Sequence, residues 1–250
     1  MRQEEILQGA METKLTEACD ETCPSVPPGR RAAGEDPVKR EQILDGAKRV
    51  FMEQGFDAAS MNDITRAAGV SKGTIYVYFE NKEDLFAELI QRERYRITES
   101  ARHALDADVT VREALHNFGV LFAKHLTAEY TIKAMRMVIA VNQRMPALAC
   151  TFLSATPMNP VSVLKGFMDR QVALGALAID DTELAARQFL ELATVGMFKY
   201  RLFGTMDTPP PAEEIERIVN SGIKVFLAAY GTERTEAPSA RERKGGGLRQ

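Results

Sequence analysis

Ser60-Met61-Asn62-Asp63-Ile64-Thr65-Arg66-Ala67-Ala68-Gly69-Val70-Ser71-Lys72-Gly73-Thr74-Ile75-Tyr76-Val77-Tyr78-Phe79 reads as two short helices joined by one tight turn. Ser60 opens the first of them, with Asp63 three residues on as a variant of the capping box. Its inward face is Ile64, Ala67 and Ala68. Gly69-Val70 makes the turn and Ser71 caps the next helix, whose inner face carries Ile75 and Phe79 four residues apart. Ala67 and Ala68 are small, so the second helix is expected to cross the first closely, with Val70 filling the space between them.

Outward from this stretch the pattern stays helical. A preceding helix is expected over 37–54: Pro37 suits a first helical position, and Ile43, Ala47, Val50 and Phe51 form an apolar stripe. Gly55 follows as a helix-ending residue. A further helix starts at Asn81, with Asp84 three positions later and Leu85, Phe86, Leu89 and Ile90 carrying it to about Ala104.

Two short helices on a glycine turn, backed by a third, are the parts of a DNA-reading helix-turn-helix. Gly73 weakens a short helix by about 1 kcal/mol relative to alanine, so its place is best explained by close approach of the backbone to DNA. Ser71 and Thr74 offer hydroxyls beside the positive end of the helix dipole. Tyr76 and Tyr78 are read as lying opposite Ile75 and Phe79, with their phenols toward phosphate or a thymine methyl. Lys82 at a helix start opposes the dipole, a mild cost that points to a phosphate partner.

The run from Ser60 to Phe86, with its Ala-Gly-Val-Ser-Lys-Gly-Thr-Ile-Tyr-X-Tyr-Phe core and following Lys-X-X-Leu, closely resembles the signature of the TetR family of bacterial repressors. Two features depart from the family pattern: Thr65, where alanine is usual after the isoleucine, and the long extension before Pro37. Threonine can bond back along its helix, so Thr65 is expected to be tolerated. The resemblance implies phosphate contacts from Ser60, Ser71, Tyr76, Tyr78 and Lys82, with Lys72, Gly73 and Thr74 nearest the base edges of double-stranded operator DNA. It also implies a homodimer on a palindromic operator, and a ligand-released repressor. Ala134–Ala140 leading to Arg144–Ala149 is similar to the regulatory domain of the AefR-like and AcrR-like branches.

The expected architecture is therefore all-α: a three-helix helix-turn-helix domain over 37–96 and a larger ligand-binding and dimerisation domain over 97–231. Residues 1–36 and 232–250 read as poorly ordered tails, rich in proline or glycine and charge. Further helices are expected near 110–126, 128–144, 146–155, 160–176, 180–203 and 211–230. The last two are too apolar for two exposed faces of a monomer, and Leu192, Val195, Phe198, Ile218 and Val225 are the expected dimer contacts. Phe122, Met135, Phe152 and Met168 suggest a methionine- and phenylalanine-lined cavity for a small apolar ligand, with His125 and Asn142 as polar contacts.

Composition supplies limits. The net charge is −3, and residues 37–82 hold 7 Lys and Arg against 6 Asp and Glu, so DNA affinity rests on a few placed contacts. Three cysteines (Cys19, Cys23, Cys150) suit a reducing, cytoplasmic setting, and the family resemblance implies a bacterial, nucleoid-associated protein. No apolar run reaches membrane-spanning length. The three histidines lack paired-ligand spacing, so neither a metal nor a cofactor is expected. No nucleophile triad or phosphate-cradling loop favours an enzyme, and the intact Ser71–Phe79 segment argues against a binding protein that has lost DNA reading.

Overall fold

A computed structural model describes residues 36–106, 109–144 and 159–235. Among these residues the regular structure is helical: α1 (Pro37–Ala58), α2 (Met61–Ala68), α3 (Lys72–Tyr78), α4 (Lys82–Asp106), α5 (Val111–Thr127), α6 (Glu129–Val141), α7 (Pro160–Ala173), α8 (Thr182–Thr194), α9 (Met197–Leu202) and α10 (Ala212–Tyr230). Of the expected tails over 1–36 and 232–250, residues 1–35 and 236–250 fall outside the described residues, as do the helix near 146–155 and Phe152; Thr232 and Thr235, by contrast, bond to Gly175 and Ala176.

The chain divides into two compact units. Helix α4 passes from the first to the second between Gln91 and Arg92, and α6 passes back between Met135 and Arg136. Sequence reading grouped 136–144 with the larger domain. Val138 and Val141 are instead buried with the apolar side chains of α1 to α4.

In the first unit, Asp36 accepts from the backbone N–H groups of Val38 (2.9 Å) and Lys39 (3.3 Å), and Pro37 takes the first helical position. Ile43, Ala47, Val50 and Phe51 are buried, as their spacing predicts. Helix α1 outlasts the expected end at Gln54 because it resumes after a kink at Gly55. That extra turn brings Phe56 to 4.9 Å from Phe86 and 5.7 Å from Phe51, ring centre to ring centre. Fully burying such a side chain contributes roughly 1.5–3 kcal/mol, so the kinked turn adds to the core as well as to the helix.

The close helix crossing differs from the expected one. Ala68 is small because α1 lies against it, not because α3 does. A Cβ added to Gly46 would stand 2.6 Å from the Cβ of Ala68 and 2.7 Å from its backbone nitrogen. Side chains of α1 also reach the last carbonyls of α2: Gln42 donates to Ala68 at 2.6 Å, and Arg49 donates to Ala67.

In the second unit, Thr110 and Glu113 form a reciprocal capping box at the start of α5. An aromatic row joins α5, α8 and α10: Phe118 to Phe189 at 6.3 Å, Phe189 to Phe226 edge-on at 5.3 Å, and Phe226 to Tyr230 at 4.9 Å. Helices α8 and α10 touch at Gly222, where an added Cβ would stand 2.9 Å from the Leu192 carbonyl oxygen. The single helix expected over 180–203 is broken into α8 and α9 by Gly196, whose φ of 73° is in the left-handed region open to glycine.

Arg201 of α9 is 2% exposed. Its guanidinium donates to the carbonyls of Thr127 (3.1 Å) and Met206 (2.9 Å) and to the Glu129 carboxylate (2.7 Å). The Arg201 bond holds the Glu129 carboxyl below its usual range, with burial opposing the shift.

Candidate nucleic-acid interface

The interface is built from the caps inward. Ser60 accepts from the Asp63 N–H at 3.2 Å, and its own hydroxyl donates to the Asp63 carboxylate. Thr65 donates to the Met61 carbonyl at 2.7 Å, the back-bond that makes it tolerable inside α2. Helix α2 ends at Gly69 (φ 64°, ψ 37°), a conformation that costs other residues about 1 kcal/mol or more. The N–H groups of Gly69 and Val70 then bond back to Arg66 and Thr65. Ser71 follows and accepts from the Thr74 N–H at 3.0 Å. Ile64, Ala68, Ile75 and Phe79 all lie in the core, which fixes the rotation of α3 about its axis.

That rotation decides what α3 shows to solvent. Ser71, Lys72, Gly73, Tyr76 and Val77 are exposed, and Thr74 is half-buried. The Ser71 and Thr74 hydroxyls are 2.8 Å apart and bonded to each other. Gly73 has an ordinary helical backbone, and the nearest neighbour of an added Cβ would be the Ser71 hydroxyl at 3.8 Å. Among the described residues nothing therefore requires glycine at this position.

Tyr76 and Tyr78 do not share a side. At about 100° per residue they fall roughly 200° apart around α3. Tyr76 is 43% exposed, whereas Tyr78 is half-buried against the core.

Ser60 and Lys82 both place polar atoms inside the unit. Ser60 is committed to Asp63. The Lys82 ammonium donates to the carbonyls of Phe56 (2.7 Å), Ala59 (3.0 Å) and Asp57 (3.3 Å) and sits 4.5 Å from the centre of the Phe56 ring. The start of α4 is capped instead by Asn81, which accepts from the Asp84 N–H at 2.8 Å, while Asp84 accepts from the Glu80 N–H at 3.1 Å. Burial pushes the Asp84 carboxyl up, and its backbone bond opposes that shift.

The expected ligand contacts are less coherent. In the second unit, Met168 is fully buried in the core, Phe122 packs against that core, and Met135 is half-buried. His125 lies with its Nε2 3.3 Å from the Thr131 hydroxyl. Asn142 belongs to the first unit and is exposed just past α6. Of the expected dimer contacts, Val195 (59%) and Val225 (55%) are exposed, while Leu192, Phe198 and Ile218 are half-buried. Leu184, Tyr200 and Phe203 extend the exposed apolar set, and the last two line an open hollow of about 620 Å³ with Lys199, Thr205 and Met206. Sequence reasoning missed this hollow, whose one signal was the run Phe198–Phe203 with three aromatic residues. Among the described residues no group of His, Cys, Asp and Glu could hold a metal, and no helix is long and apolar enough to cross a membrane.

Comparison with known proteins agrees with this geometry. Residues 43–89 match the family described as bacterial regulatory proteins, tetR family, and residues 113–232 match the C-terminal domain of AefR-like transcriptional repressors. The uncharacterized HTH-type transcriptional regulator YhgD of Bacillus subtilis is 28% identical over 65% of this chain and 84% of its own length. Among solved structures, the flavonoid-responsive regulator FrrA is 32% identical with a TM-score of 0.60, over 78% of this chain and 98% of that one. A TetR-family regulator from Mesorhizobium loti is 25% identical with a TM-score of 0.71, at the same coverage. With the helix-turn-helix, the all-helical fold and both halves of the chain matched, this protein belongs to the TetR family: it is a DNA-binding transcriptional regulator and not an enzyme.

Proposed function

We propose that the chain acts as a homodimeric, ligand-released repressor that reads a palindromic operator through α3. The observation that carries this reading is Gly73. It lies exposed with room for a side chain, on a helix it weakens, between Lys72 and Thr74. A glycine without an internal purpose is accounted for by a partner whose surface comes against the backbone. In this reading Lys72, Gly73 and Thr74 face base edges in the major groove, and Ser71, Tyr76 and Tyr78 meet phosphates on either side.

The exposed apolar residues of α8 to α10 (Leu184, Val195, Tyr200, Phe203, Val225) support a second copy of the chain as their cover. The ligand is assigned to the second unit and is apolar. Phe122 and Met135 there are partly accessible, and the relative FrrA is by its name flavonoid-responsive. Release is a population shift: a ligand favouring one arrangement of the dimer changes the spacing of the two α3 helices through α4, which runs through both units. Its effect is limited to its differential affinity for the two arrangements.

The test is binding of the purified protein to a labelled duplex from upstream of its own gene, against a scrambled duplex at the same salt. Preferential binding that survives moderate salt supports the reading. Equal binding to both, collapsing as salt rises, means non-specific phosphate contact and counts against it.

A further inference from the structure

Helices α5 and α6 meet at a corner with a single residue between them, Ala128, whose extended backbone (φ −62°, ψ 144°) interrupts the helical ladder. The angle of such a corner depends on what ties its two arms together. One tie is local: the His125 ring Nε2 and the Thr131 hydroxyl stand 3.3 Å apart across it. Another comes from far along the chain. Arg201 of α9 donates through Nε to the carbonyl of Thr127, the last residue of α5, at 3.1 Å. Through Nη2 it donates to the carboxylate of Glu129, the first residue of α6, at 2.7 Å.

Both acceptors suit a cation. The Thr127 carbonyl ends a helix, so it lacks an intrahelical partner and belongs to the negative end of the α5 dipole. The Glu129 carboxylate is favourable at the first turn of α6 and gains a charge-assisted bond. The donor is held as firmly as the acceptors. Nη1 donates to the Met206 carbonyl at 2.9 Å, and Met197, four residues earlier on the same face of α9, is buried in the core of the second unit. A planar fork at 2% exposure fixes direction as well as distance, which a lone ammonium does not.

What the corner directs is α6. This helix has 13 residues, a rod about 20 Å long. It leaves the second unit after Met135 and buries Val138 and Val141 among the side chains of α1 to α4. Val138 lies about 14 Å along the axis from Glu129, so a change of about 10° at the corner moves it by about 2 Å. A close-packed core cannot take up such a shift without losing contacts. Ile64, Ile75 and Phe79, which fix the rotation of α3, belong to that same core.

We propose that Arg201 is a positioning residue for DNA reading: by fixing the bend between α5 and α6 it sets where α6 enters the core that orients α3. The proposal rests on α3 as the DNA-reading helix, and hydrogen exchange in the free protein tests it apart from that reading.

The experiment compares wild type, Arg201→Met, Arg201→Lys and Glu129→Gln at a temperature where circular dichroism shows each to be folded. Affinity for the labelled duplex from upstream of the protein's own gene is measured over a salt series, and amide hydrogen exchange is followed without DNA. Arg201→Met is expected to weaken specific binding about tenfold, the scale of one lost hydrogen bond to a charged group. The slope of log affinity against log salt should stay unchanged, because the buried arginine neutralises no phosphate. Exchange over 136–141 and 72–79 should accelerate. Arg201→Lys, which keeps the charge and loses the fork, should fall between wild type and Arg201→Met. Glu129→Gln weakens only the arm that reaches α6 and should act in the same direction.

An arginine that only caps α5 would loosen 125–131 and 197–206 and leave 136–141 and 72–79 at wild-type rates, and that result overturns the proposal. So does accelerated exchange with unchanged specific affinity. Should Arg201→Met be too unstable to assay, Glu129→Gln, at a side chain 58% exposed, carries the same tests. If wild type binds no better to this duplex than to a scrambled one, the operator reading fails, while exchange over 136–141 and 72–79 still decides the role of Arg201.

Discussion

Replacing Gly46 by alanine sets two effects of opposite sign against each other. Alanine is the better helix former by roughly 1 kcal/mol, so α1 alone gains from the change. The crossing with α2 loses. The new methyl would stand 2.6 Å from the Ala68 Cβ, 2.7 Å from its nitrogen and 2.8 Å from its Cα. Ordinary carbon contacts lie near 3.5–4.0 Å, so the helices must part by about 1 Å. None of the three atoms can rotate aside, because two are backbone and the third is fixed to it. Overpacking of this kind costs about 1–3 kcal/mol, and parting the helices also stretches the 2.6 Å bond from Gln42 to the Ala68 carbonyl. The two effects leave a loss of up to about 2 kcal/mol, and the stretched bond adds to it. The chain has no tryptophan, so urea unfolding is best followed by circular dichroism, reading a lower midpoint at unchanged slope. Ala68→Gly on top of Gly46→Ala should recover part of the loss. A Gly46→Ala protein as stable as wild type, or more so, would refute the reasoning, since propensity alone would then govern the site.

Gly73→Ala should do the reverse: stability rises by up to about 1 kcal/mol because the methyl meets nothing closer than 3.8 Å, while specific DNA affinity falls. Unchanged affinity would remove the reason given for that glycine. Val225→Glu should give a folded monomer by light scattering, and a persisting dimer would place the interface elsewhere. Arg201→Met leaves the carbonyls of Thr127 and Met206 without this donor and should cost about 1–3 kcal/mol per buried group in urea unfolding; a change below half a kilocalorie would count against its holding role. Arg201 keeps the Glu129 carboxyl below its ordinary value, so this bond adds stability above the unfolded pKa and loses it as pH falls through the folded one. Glu129→Gln should flatten the decline of the urea midpoint below the usual glutamate range. The effect will be small because the carboxylate is more than half exposed, and an unaltered acid limb would contradict the assignment.

What was legible in the sequence was local. Ser60, Gly69 and Ser71 act within three or four residues of their partners, so the bounds of α2 and α3 follow from residue types and spacing. The apolar stripe of α1 and the pair Ile75 and Phe79 could be read for the same reason. What was not legible depends on distant contacts. Gly46 looks like an ordinary blemish in a helix until Ala68, 22 residues later, is seen against it. The partners of Lys82 are backbone carbonyls 23 to 26 residues away, a chemistry that no side-chain pattern announces. Gly196 sits within an apolar run that reads as continuous helix, and its backbone conformation shows where the run breaks. Tyr78 was misplaced by a different error, since alternate residues of a helix lie on opposite flanks and not on one outer side.

The ties that hold the recognition helices share a property with a consequence for engineering. Gln42 and Arg49 of α1, and Lys82 of α4, all end on main-chain carbonyls. These ties fall on main-chain atoms outside α3, and the side chains of Lys72, Thr74 and Tyr76 carry none of them. On the proposed reading of α3, specificity can then be rewritten as a cassette: libraries at 72, 74 and 76 would sample new operators on an unchanged chassis, with folding and reading under separate selection.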